Sequence, residues 1–250
     1  MSHYSQKEII ETNESSNPRK FTIANNKLFF SAGDGELGRE LWISDGTEAG
    51  TSLVKDINPG TNSSQPQDYF VFENRVLFTA ENGESGRELW ISDGTENGTS
   101  LVKDINPGIK ASNPDNLIYF NNKLFFTAEN SEFGRELWVT DGTETGTNLV
   151  KDINPGTESS DIADFKFFED KLYFSAENGE SGRELWVTDG TELGTNLFKD
   201  INKGSKSSNP TNLKVFNNQL FFTSDDGEFG RELWKVEHLN HPPITTDNFV

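Results

Sequence analysis

The chain has 250 residues and a net charge of -19, from 22 Lys and Arg against 41 Asp and Glu, a balance that repels phosphate backbones and anionic lipid heads and argues against nucleic acid and membranes as partners. The absence of cysteine removes disulfides, thiol catalysis and thiolate metal sites. Mean hydropathy is low at -0.67, but 20 Phe, 5 Trp and 4 Tyr carry enough apolar surface for a core, and no apolar run approaches the ~18 residues of a membrane span.

The first twenty residues are polar and contain no apolar signal-peptide segment. Within them, Lys7-Glu8-Ile9 lies 48 residues before Lys55-Asp56-Ile57, and Asn17-Pro18 lies 96 before Asn113-Pro114. A repeat follows. Trp42, Trp90, Trp138, Trp186 and Trp234 are each 48 positions apart, and each closes a Gly-Arg-Glu-Leu-Trp string. Repeats of this length indicate propeller blades or paired-helix solenoids. Helices are excluded, because Asn-Pro, Pro-Gly and Asp-Gly cut each unit before a 3.6-residue apolar face can develop.

Read as strands, the second unit gives residues 68–73, 75–80, 87–93 and 99–105. The first two are joined by Glu73-Asn74, a pair that tolerates positive φ in a tight hairpin. The last two are joined by Asp-Gly-Thr-Glu-x-Gly-Thr, with Asp93 as cap and Gly94 and Gly98 as flexible points. Runs such as Leu28-Phe29-Phe30 and Leu124-Phe125-Phe126 are apolar on both faces, as a sheet sandwiched between two neighbours requires. Units begin near residues 20, 67, 115, 163 and 211. After Trp234 the repeat fails, so the fifth unit lacks a fourth strand of its own. Residues 5–10 supply one. The expected fold is therefore an all-β, five-bladed β-propeller over residues 1–239, four antiparallel strands per blade, closed when the N-terminal strand completes the last blade and removes its edge. Residues 240–250 form a tail or linker towards a following domain.

The strings Arg-Glu-Leu-Trp-Ile-Ser-Asp-Gly-Thr-Glu-x-Gly-Thr and Leu-Val-Lys-Asp-Ile-Asn-Pro-Gly resemble the ELWxxDGT repeat family of bacterial, largely surface or secreted proteins, over about residues 5–235. The resemblance implies a propeller and an extracellular or cell-surface setting. The five-bladed plan is also similar to tachylectin-type lectins, in architecture alone. The tail Asn240-His241-Pro242-Pro243-Ile244 resembles the start of cadherin-like repeats in large bacterial adhesins, which implies a module of a longer protein.

Five Arg-Glu pairs, from Arg39-Glu40 to Arg231-Glu232, are expected to pair their charges with the Lys-Asp of the fourth strand, because a buried charge without a partner is costly. The tryptophans are expected between blades. The longer second-to-third-strand loops carry the candidate ligand-binding residues Asp34 and Glu36, Asn82 and Glu84, Asn130 and Glu132, Asn178 and Glu180, and Asp226 and Glu228. Short carboxylates and amides at loop tips suit sugar hydroxyls or Ca²⁺, which takes oxygen ligands; solvated turn chemistry is the plainer alternative. Catalysis needs two carboxylates in different environments, which near-identical blades do not readily supply, and the three histidines stand outside the repeats. The sequence therefore points to a monomeric, non-enzymatic module that binds glycans or a surface protein, with a structural or docking domain as the alternative and a propeller glycoside hydrolase as the weaker one.

Overall fold

A computed structural model describes residues 15–236, all of them strand, turn or loop. Two compact units, Met1–Leu149 and Val150–Val250, divide the chain. The expected closing strand at residues 5–10, the histidines and the tail at 240–250 lie outside the described residues.

The first unit carries three antiparallel sheets, each a simple meander. They comprise β1 (Arg19–Ala24), β2 (Lys27–Gly33), β3 (Arg39–Ser44) and β4 (Ser52–Lys55); β5 (Gln67–Phe72), β6 (Arg75–Glu81), β7 (Arg87–Ser92) and β8 (Ser100–Lys103); and β9 (Asp115–Phe120), β10 (Lys123–Asn130), β11 (Gly134–Thr140) and β12 (Asn148–Lys151). The boundary between the units falls within β12. The second unit holds β13 (Ala163–Phe168), β14 (Lys171–Glu177), β15 (Arg183–Thr188) and β16 (Asn196–Lys199), then a sheet of only three strands, β17 (Thr211–Phe216), β18 (Gln219–Asp225) and β19 (Arg231–Val236).

The tight hairpins follow from their turn residues. Asn25 and Asn26 have φ of 47° and 56°, and Asn121 and Asn122 of 51° and 59°, a left-handed pair that matches the twist of the flanking strands. Each first strand also carries a bulge whose left-handed residue is Lys20, Asp68, Asn116, Asp164 or Asn212. Four of these five are Asx residues, the side chains best suited to that conformation. The fourth strand of the second sheet, β8, is shorter than the expected 99–105. It stops at Lys103 because Asp104 turns the chain, its Oδ2 accepting the Gly108 N–H at 3.1 Å, and Pro107 lacks a ladder donor.

Stacking of sheets explains strands apolar on both faces. In the first unit, Phe29, Leu41, Ile43 and Val54 of one sheet pack against Val76, Phe78, Ala80 and Trp90 of the next. The same positions one repeat on, Leu77, Leu89, Ile91 and Val102, meet Leu124, Phe126, Ala128 and Trp138. Within the second unit, Tyr173 and Leu185 meet Leu220, Phe222 and Val236. Each buried aromatic or leucine contributes about 1.5 to 3 kcal/mol, so the repeated interface is the main source of stability. Four of the five tryptophans, Trp42, Trp90, Trp138 and Trp186, are buried core residues, and Trp234 is partly buried.

Candidate binding loops

Five loops of one design join the second and third strands of the sheets. In the first, Asp34 Oδ1 accepts the N–H groups of Glu36 and Leu37 at 2.9 and 2.7 Å, bending the chain into an Asx turn. Asn82 holds Glu84 N–H and Ser85 N–H at 3.0 and 2.8 Å, and Asn178 holds Glu180 N–H and Ser181 N–H at 3.1 and 2.8 Å. Asn130 takes the Glu132 N–H at 2.8 Å while its amide donates to Ile105 O at 2.6 Å. In the fifth loop Asp226 binds the N–H groups of Phe229 and Glu228, both at 2.9 Å, and these bonds draw its carboxyl below the usual range.

The ten expected site residues therefore divide by task. Asp34, Asn82, Asn130, Asn178 and Asp226 shape the loops with their Oδ1 atoms. Glu36, Glu84, Glu132, Glu180 and Glu228 stand exposed at the tips, displayed by the turns beneath them. Ca²⁺ needs six or more oxygens. Each loop presents one free glutamate, and among the described residues no three His, Cys, Asp or Glu side chains gather into a metal-binding group.

The Arg-Glu pairs act differently from expectation. Glu40 does not pair with Lys55; it accepts Ser64 N–H at 2.8 Å, Ile57 N–H at 2.9 Å and the Ser64 hydroxyl at 2.5 Å. Lys55 reaches past it to Thr99 O at 3.0 Å, as Lys103 does to Thr147 O and Lys151 to Thr195 O, both at 2.8 Å. Arg87 donates to Gln65 O at 3.1 Å and pairs with Glu81 at 2.8 Å. The crossovers that follow the first, second and fourth sheets are thus clasped from both sides, by Glu40, Glu88 or Glu184 of the sheet before and by Arg87, Arg135 or Arg231 of the sheet after. Backbone groups serve these charges better than an ion pair, because a crossover exposes N–H and C=O groups that no ladder satisfies. The partners missed from the sequence are the crossover serines. Their signal was present: Ser16, Ser64, Ser112, Ser160 and Ser208 recur at the same 48-residue spacing as the tryptophans.

No family model matches the chain, and no curated protein matches it. Among solved structures, the chain is similar to the computationally designed Ika8 protein, at 16% identity and a TM-score of 0.43 over 88% of this chain and 58% of that one. It is similar to a puromycin hydrolase S511A mutant complexed with PGG, at 12% identity and a TM-score of 0.43, over 86% of this chain and 34% of that one. A gluconolactonase from Xanthomonas campestris aligns at 13% identity and a TM-score of 0.35, over 83% and 67% of the two chains. The chain spans about 58% and a third of the lengths of the first two. At these identities and scores the likenesses say nothing about activity.

Proposed function

We propose that the chain is a closed five-bladed β-propeller serving as a multivalent, non-enzymatic binding module of a larger extracellular bacterial protein, recognising glycans through its five glutamate-tipped loops. The observation that carries the binding reading is the shared Asx turn, which spends one polar side chain per loop to hold a second, Glu36, Glu84, Glu132, Glu180 or Glu228, outward in solvent. A protein-docking platform is the alternative, favoured by Phe229, which is 76% exposed beside Glu228.

Closure has support within each unit. Ser16 O accepts the Gly33 N–H at 2.9 Å, as Ser64 O accepts Glu81 N–H and Ser208 O accepts Asp225 N–H at the same distance. Ser16 therefore occupies the crossover position in front of the first sheet. Serines at that position serve a preceding glutamate, and Glu232 is the copy with no crossover following it among the described residues. It is exposed, as is the adjacent Leu233 at 70%, whereas Leu41, Leu89, Leu137 and Leu185 are fully buried. In this reading residues 5–10 pair with β19 and bring Glu232 and Ser16 together.

A shallow loop pocket buries little of a sugar, so each site is expected to bind with a Kd of roughly millimolar, while clustered ligands gain about 10²- to 10⁴-fold through effective concentration. A glycan array with and without Ca²⁺ identifies the ligand. Titration of the ligand it selects then reads stoichiometry: Glu132→Ala should remove one site and leave the others unchanged, and replacing all five glutamates should abolish avidity while the fold persists. A single tight site untouched by these changes contradicts the multivalent reading, and an array without binders favours the docking platform.

A further inference from the structure

The clasping glutamates have a second neighbour. Register pairs Leu41 with Lys55, which sets Glu40 at the start of β3 beside Asp56 at the end of β4. Glu40 is 1% exposed and Glu88 fully buried, and among the described residues no ion pair reaches either. The cations near Glu40 are engaged elsewhere, Arg39 with the backbone and hydroxyl of Ser31 and with Ser16 O, and Lys55 with Thr99 O. Beside Glu88, Arg87 serves Gln65 O, Thr79 and Glu81, and Lys103 serves Thr147 O. The phenol of Tyr69, from the neighbouring sheet, is buried without a hydrogen-bond partner and stays neutral because burial pushes it up.

The adjoining aspartates show what is missing. Asp56 Oδ2 accepts the Gly60 N–H at 3.3 Å, but Asp56 Oδ1 is buried with no partner, and the same atom is without one in Asp104, Asp152 and Asp200. A buried acceptor without a donor is costly once and improbable four times at the same position. Two adjoining carboxylates, one enclosed and neither neutralised, are costlier still. A proton on the enclosed glutamate removes the repulsion between the two, and a protonated carboxyl has an O–H to donate.

We propose that Glu40, Glu88 and Glu184, which adjoin Asp56, Asp104 and Asp200, each hold a proton in mildly acidic solution and release it across neutrality, making the crossover clasps pH-sensitive. Burial first, and then the adjoining Asp56 or Asp104, pushes Glu40 and Glu88 up to about 7, against hydrogen bonds from Ser64 and Ile57 or Ser112 and Ile105 that pull the other way. Burial raises Glu184 likewise, with Arg183 turned to Asp161 O and Ser175, and Lys199 lying over the Trp234 ring. An acid whose folded value is raised stabilises the fold fully below its unfolded value, near 4.5, and loses that contribution as pH rises through about 7. The clasps therefore loosen as pH rises from about 4.5 to about 7 and change little above that.

The test is a ¹³C NMR titration of the glutamate side-chain carboxyls in the intact chain from pH 4 to 9. Ordinary carboxylates titrate near pH 4. Glu40 and Glu88 should instead show midpoints near 7, with Glu184 displaced the same way, and Glu88→Gln should delete one such resonance. Thermal unfolding reports the consequence: in a background with His3, His238 and His241 replaced by Asn, Tm should rise as pH falls from 7.5 to 5, and Glu88→Gln should flatten that slope. Clasp glutamates that all titrate below pH 5, with a flat Tm over the same interval, would overturn the proposal.

Discussion

Trp138→Ala is expected to destabilise the protein by about 3 to 5 kcal/mol, the range for deleting a large buried aromatic. Trp138 is 5% exposed and closes the cluster that Leu89, Ile91, Val102 and Ile105 form with Leu124, Phe126 and Ala128, so its removal opens the interface between two stacked sheets rather than a pocket within one. Dense packing on both faces leaves the backbone little freedom to collapse into the gap, which places the cost in the upper part of the range. Equilibrium urea unfolding checks this, with Glu132→Ala as a surface control that should move stability by less than about 0.5 kcal/mol. A Trp138→Ala protein of undiminished stability that had lost only ligand binding would reassign the tryptophans from packing to recognition.

Gly86→Ala should cost a comparable amount by another route. Gly86 has φ +64, and a Cβ there would stand 2.7 Å from the backbone N of Ala111 and the backbone carbonyl carbon of Lys110. Neither atom can rotate away. The left-handed conformation and the overlap together predict about 2 to 5 kcal/mol. Gly60 separates the two contributions, since its φ is +88 but a Cβ there meets nothing within 4 Å. Gly60→Ala should therefore show only the conformational part, about 1 to 2 kcal/mol. If the two variants unfold at the same urea concentration, the close approach of the β6–β7 loop to the following crossover is not a feature of the folded protein.

Much of this architecture was legible in the sequence, because a 48-residue period with one Gly-Arg-Glu-Leu-Trp string in every unit leaves few arrangements open. The strands of the second sheet lie within a few residues of where alternation and turn residues put them, and first strands begin at residues 19, 67, 115, 163 and 211. The roles of charged residues were less legible. Pairing Arg-Glu with Lys-Asp is the economical guess from composition, yet side chains one strand apart compete with crossover N–H and C=O groups whose positions emerge only on folding. Ser64 lies 24 residues from Glu40, and nothing local links them. At the loops, the sequence marked Asp34 and Glu36 alike, and only the hydrogen bonds of the Asx turn tell the residue that builds from the residue that is displayed. The four unpartnered aspartate oxygens had no sequence signal at all, since an Asp at the end of a strand reads as an ordinary turn former.

Ring closure is tested most directly by a crosslink across the seam. By the repeat, Lys7 and Leu233 correspond to Lys55 and Leu41, which are Cα partners in adjacent antiparallel strands, a separation of about 4.5 to 5.5 Å that a disulfide spans. The chain has no cysteine of its own, so the pair Lys7→Cys and Leu233→Cys forms the only bridge available. Mild oxidation of dilute protein should give a disulfide within one chain in nearly every molecule, and the oxidised protein should melt at a higher temperature than the reduced form. Free thiols after oxidation, or disulfides only between chains, would contradict closure of the ring by residues 5–10.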